Sequence, residues 1–101
     1  MVRNRPVIVI DNLAKFQLKE AYEFIRLDSP KNAEKVKSEI LAAIQKLSDH
    51  PERYHPDQYR LNNDGAYRAF ELYKYRVSFH VSQTQITIIK ICHTSMEPKP
   101  Y

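Results

Sequence analysis

The sequence predicts an α+β fold: an antiparallel helical hairpin packed on one face of a mainly antiparallel four-stranded sheet, with the N-terminal strand beside the last. Three observations carry this. Val7–Ile10 is a β-branched run too short for a helix. Residues 13–47 then space their apolar side chains at steps of three and four. Residues 67–93 hold three strand-like runs separated by short turns. Helices followed by a run of hairpin-linked strands make a segregated α+β layer rather than alternating βαβ units.

Val7–Ile10 is read as one buried strand, stopped by Asp11 and Asn12, residues that favour turns and helix N-caps. In the first helix Ala14, Leu18, Ala21, Tyr22 and Ile25 form an apolar stripe, which Phe16 and Phe24 widen, with Lys15, Lys19, Glu20, Glu23 and Arg26 between. Asp28-Ser29-Pro30 then supplies a capping side chain and a proline suited to a first helical turn. The second helix carries Ala33, Val36, Ile40, Ala43, Ile44 and Leu47 on one face and ends at Asp49-His50-Pro51. So few residues between two helices favour an antiparallel hairpin.

A polar stretch from His50 to Gly65 holds the single glycine. The strands follow at Tyr67–Tyr73, Tyr75–Val81 and Gln85–His93. In the middle run Tyr75, Val77, Phe79 and Val81 alternate with Arg76, Ser78 and His80, so one face meets the helices and the other is expected to be open. With a turn at Tyr73-Lys74, Glu71, Arg76 and Ser78 look outward together. Thr94–Tyr101, with Pro98 and Pro100, is expected to be an extended tail.

One hundred and one residues allow one domain, here residues 1–101. No apolar run approaches the roughly 20 residues needed to span a bilayer, and no signal-peptide apolar region follows the basic N-terminus. The expectation is a cytoplasmic protein with no membrane partner. Cys92 is the lone cysteine, so no internal disulfide forms, and its expected role is that of a small buried hydrophobe. The net charge of +4 favours anionic partners, nucleic acid or an acidic protein segment. Residues 66–101 are the most one-sidedly basic part, with five basic and two acidic side chains. His50, His55 and Asp57 lie in irregular sequence without the spacing of a metal site, so no metal and no cofactor is expected.

Several pieces in order then resemble one family: Ala21-Tyr22-Glu23-Phe24-Ile25, Ile44-Gln45-Lys46-Leu47 followed by His50-Pro51-Glu52-Arg53, Tyr67-Arg68-Ala69-Phe70, residues 75–81, and Ile89 to Pro98. Together they resemble the RelE/ParE superfamily of bacterial toxins from type II toxin–antitoxin, or plasmid-stabilisation, systems. The resemblance implies a growth inhibitor neutralised by a cognate antitoxin in a hetero-oligomer. RelE-like members cut messenger RNA on the ribosome, and ParE-like members bind and poison DNA gyrase. The ending His93-Thr94-Ser95-Met96-Glu97-Pro98 is closer to the ParE-like branch, and Ala69, Phe70, Glu71, Thr94 and Ser95 stand where RelE-like members cluster basic residues.

Under the ribonuclease alternative, Arg76 would hold the phosphate, Glu71 or His93 would be the base, and Tyr101 would stack or donate a proton. Under a binding reading, Tyr67, Arg68, Arg76, Lys90 and Tyr101 are the contact candidates. A third alternative is an inactive member that retains only antitoxin binding. Each residue also has a bland reading: Arg76 solvated on an open face, Arg68 paired with Glu20 or Glu23, His93 capping the tail, Tyr67 simply a strand tyrosine.

Overall fold

The computed structural model describes residues 5–96 and residue 100. Its elements run β1 (Val7–Ile10), α1 (Asn12–Arg26), α2 (Pro30–Gln45), β2 (Tyr67–Leu72), β3 (Tyr75–Val81) and β4 (Gln85–His93), with single 3-10 turns at Lys46–Ser48 and Pro51–Arg53. The sheet order is β1-β4-β3-β2, parallel between β1 and β4 and antiparallel elsewhere. β1 and β4 can be parallel neighbours because the helical hairpin and two further strands intervene, long enough for a crossover.

Local chemistry sets the boundaries. Asp11 caps α1, its carboxylate accepting from the Asn12 amide at 2.7 Å. Ser29 caps α2 by accepting from the Asn32 amide, with Pro30 in the first turn. The β2–β3 hairpin closes through Tyr73 and Lys74, both at positive φ (52° and 65°). That is the backbone of a tight two-residue turn, normally given to Asn or Gly. The Tyr73 hydroxyl donates to Glu39 of α2, and the Lys74 carbonyl accepts the Thr94 amide at 2.7 Å, so both ends of the turn are tied down.

The core lies between the hairpin and one sheet face. Leu18, Ile40, Ile44 and Leu47 meet Val77, Phe79, Ile86, Ile88 and Ile91. Tyr54 packs from the loop onto Phe70 and Phe79, with ring centroids 5.6 and 5.7 Å away. Phe16 and Phe24 do not join this core. They are 58% and 69% exposed, because α1 turns only the Ala14, Leu18 and Ala21 side inward.

Two expectations about the sheet change. The stretch after α2 is not a free loop: Pro56 bridges Arg68, with Asp57 N–H donating to the Tyr67 carbonyl at 2.7 Å and Ala69 N–H to that of His55 at 3.2 Å. This short fifth lane covers the edge of β2, as sheet edges commonly require. Residues 57–65 then fold over the outward face, so Ser78 is buried there and the face is not open. The tail begins as a turn rather than an extended segment, the Met96 amide donating to the His93 carbonyl.

Candidate functional site

The outward face is built by cross-strand register. The pairs Glu71↔Arg76, Ala69↔Ser78 and Tyr67↔His80 on β2 and β3 share one side, with Lys90 opposite Ser78 on β4. Phe70↔Val77 and Leu72↔Tyr75 occupy the other side, against the helices.

Arg76 is the centre of this face. Its Nη2 lies 2.7 Å from Asp57 Oδ1 and its Nη1 3.5 Å from Glu71 Oε2. The Asp57 side chain is fully buried and that of Arg76 is 15% exposed. The guanidinium also lies over the Tyr59 ring, 4.8 Å from its centroid. Asp57 is held in turn: the same Oδ1 accepts the Tyr59 amide at 3.0 Å, and its carbonyl accepts from Asn63. Asn63 organises the rest of the loop, its side-chain oxygen receiving the amides of Gly65 and Tyr67. Gly65 sits at φ +99°, a conformation a side chain would strain.

Beside this cluster the Arg60 guanidinium stacks on Tyr67 at 3.9 Å, and Tyr67 packs on His80 at 4.7 Å. An open groove of about 320 Å³, lined by Pro56, Gln58, Glu71 and Arg76 among others, runs between the loop and β2. The face is a polar surface on which Arg76 is engaged by a buried carboxylate.

The remaining candidates do not converge on it. His93 pairs with Tyr75, on the helix side of the sheet, and their rings meet edge-on at 5.1 Å. Its Nδ1 accepts the Ser95 amide at 3.0 Å, so it caps the turn after β4. Tyr75 is raised above the usual tyrosine range by burial. Arg68 is paired with Phe79 in register and donates to the backbone carbonyls of Tyr54 and Glu52, not to Glu20 or Glu23. Cys92 is half-buried, and its sulfur accepts from Gln17 at 3.4 Å. Tyr101 lies outside the described residues. Among those residues no group of three or more His, Cys, Asp or Glu could hold a metal ion, and no helix is long and apolar enough to cross a membrane.

The sequence places Glu71, Arg76 and Ser78 on one face, the structure adds the candidates Tyr67 and Lys90 to it, and Asp57, Tyr59 and Arg60 there are not among the sequence candidates. The signal available was the Pro56-Asp57 step, a turn former placed 19 residues before an arginine on an alternating strand.

Comparison with known proteins finds the family model of the ParE toxin of type II toxin–antitoxin system, parDE, matching residues 8–98. No curated protein matches the chain in sequence. Among solved structures, a chain from the chromosomal ParDE toxin–antitoxin system of P. aeruginosa superposes with a TM-score of 0.68 at 18% identity, covering 88% of this chain and 96% of that one. At that identity the likeness is one of fold.

Proposed function

Because the chain belongs to the ParE toxin family of type II toxin–antitoxin systems, we propose that it arrests growth by binding DNA gyrase through its surface, without cutting RNA, and that a cognate antitoxin neutralises it. The Arg76–Asp57 ion pair is the observation that carries the binding half of this reading. A ribonuclease of this fold needs a cation free to hold a phosphate as charge develops on it. To serve so here, Arg76 would have to leave a buried carboxylate uncompensated, at a cost of several kcal/mol. His93, the alternative base, faces the other side of the sheet and accepts a backbone amide. The net charge of +4 suits an acidic partner segment.

The reading is tested by inducing the chain without antitoxin and following the DNA-damage response and bulk translation in one culture. Gyrase poisoning gives an early damage response while translation continues. Immediate translation arrest with cleaved messages would support the ribonuclease alternative instead, and normal growth at verified expression the inactive one.

A further inference from the structure

The fold closes the edges of its sheet with one exception. Residues 55–57 run along β2, and Gln17 takes the Ile91 amide where β4 continues past β1. The outer edge of β1 has no such cover among the described residues. Its odd-numbered residues face β4, the Val7 amide donating to the Thr84 carbonyl and the Asp11 amide to that of Ile88, both at 2.9 Å. The N–H and C=O of one strand residue point to the same side, and the side alternates along the chain. Those of Ile8 and Ile10 therefore point away from the sheet. Ile8 and Ile10 pack their side chains on the core, so Val7 and Val9, 64% and 38% exposed, look out from the opposite face. Soluble proteins guard such an edge with a lysine, an inner proline or a bulge. Val7–Ile10 has none of these.

The register that this edge allows says what covers it. A second copy, antiparallel and related by a two-fold axis through Val9, sets Ile8 opposite the partner's Ile10 and Ile10 opposite the partner's Ile8. Each such pair exchanges hydrogen bonds both ways. Val9 meets the partner's Val9 in the close, non-hydrogen-bonded position, Cα atoms about 4.5 Å apart, where β-branched pairs pack well. Neighbouring axes fail. Moved to Ile8 or Val7, the axis brings Ile10 or Ile8 opposite Pro6, which has no N–H to give. Moved to Ile10, it runs Ile8 against Asn12, where α1 has already begun. The paired strands carry no charged side chain, so the copies meet no like charge there and nothing on the strand selects an acidic or a basic segment instead.

We infer that β1 is a self-association edge: two copies of this chain pair β1 with β1 about Val9, joining their sheets into one continuous sheet with both helical hairpins on the same face. Strands of four residues make a short seam, so the dimer belongs to the weak, transient class. The inference stands apart from the choice of growth target.

The test is sedimentation equilibrium of the full chain at concentrations up to about 1 mM, the range of a weak contact. The wild type is expected to show a monomer–dimer equilibrium. Val9→Lys sets two ammonium groups face to face on the solvent side and is expected to raise the dissociation constant at least about 10-fold, with the circular dichroism of the wild type. A chain that stays monomeric at every concentration, or a dimer that Val9→Lys leaves intact, would overturn the inference. The register has a second readout that does not need that variant to fold. In a Cys92→Ser background, mild copper-catalysed air oxidation is expected to cross-link Val9→Cys into a dimer and to leave Val7→Cys, which stands opposite the partner's Asp11, largely monomeric. Equal cross-linking of both, or of neither, would overturn pairing about Val9.

Discussion

Arg76 of β3 and Asp57 of the preceding loop form an ion pair at 2.7 Å in which the aspartate side chain is fully buried. The contact ties residues 57–65 to the sheet and turns the outward face into a structured surface. Arg76 is therefore a fold residue whatever else it contacts.

Removing one member of a buried pair strands the other charge, at about 3–5 kcal/mol. Asp57→Ala is expected to lower stability by about that amount in urea unfolding. Arg76→Met alone is expected to cost a similar amount, and Arg76→Met in the Asp57→Ala background is expected to recover part of the loss rather than add to it. Additive costs in this double-mutant cycle would mean the two residues are not coupled.

Gln17 closes the edge of β4 beyond the end of β1. Its Oε1 accepts the Ile91 amide at 2.7 Å, and its Nε2 reaches Cys92. Gln17→Ala leaves a part-buried amide without its partner, at roughly 1–2 kcal/mol. The Ile91 amide is expected to exchange its hydrogen faster in the variant while the β2–β3 amides keep their protection.

The Ser29 cap is a local interaction and gives a local prediction. Ser29→Ala is expected to cost about 1 kcal/mol, and Ser29→Asp is expected to retain most of the stability. Equal losses in both variants would show that the hydroxyl contributes by something other than its bond to the Asn32 amide.

Alkaline pH tests the tyrosine clasps. Tyr22 and Tyr73 are held above the ordinary tyrosine value of 10.0, first by hydrogen bonds to Glu34 and Glu39 and then by partial desolvation. A phenol whose folded pKa is raised binds its proton longer in the native state. Its contribution is thus fully present below about pH 10 and is lost as pH rises toward the folded value. The melting temperature is expected to fall above about pH 10, less steeply in Tyr22→Phe and Tyr73→Phe, and phenolate absorbance is expected to appear later in the folded chain than in denaturant.

Much of the architecture was legible because its signals are local. The β-branched run at Val7–Ile10, the Asp11 and Ser29-Pro30 starts and the alternation in Tyr75–Val81 each act within a few residues, and the elements stand where those signals put them, although β1 is an edge strand with Val7 and Val9 exposed rather than a buried one. Periodicity alone adds Phe16 and Phe24 to the apolar stripe, because it locates a residue on a helix without telling which of two adjacent faces is covered. The loop over the sheet was not legible for a different reason. Asp57 meets Arg76, and Pro56 meets Arg68, through contacts that depend on where the whole loop travels. Arg68 shows the same limit: the sequence offers Glu20 or Glu23 as its partner, whereas its partners are carbonyls of the 3-10 turn and Tyr54.

If the chain poisons gyrase as proposed, supercoiling of relaxed plasmid by purified DNA gyrase falls with the dose of the purified chain, and cognate antitoxin restores it. Full gyrase activity at every dose of a folded, growth-arresting chain would rule gyrase out as the target.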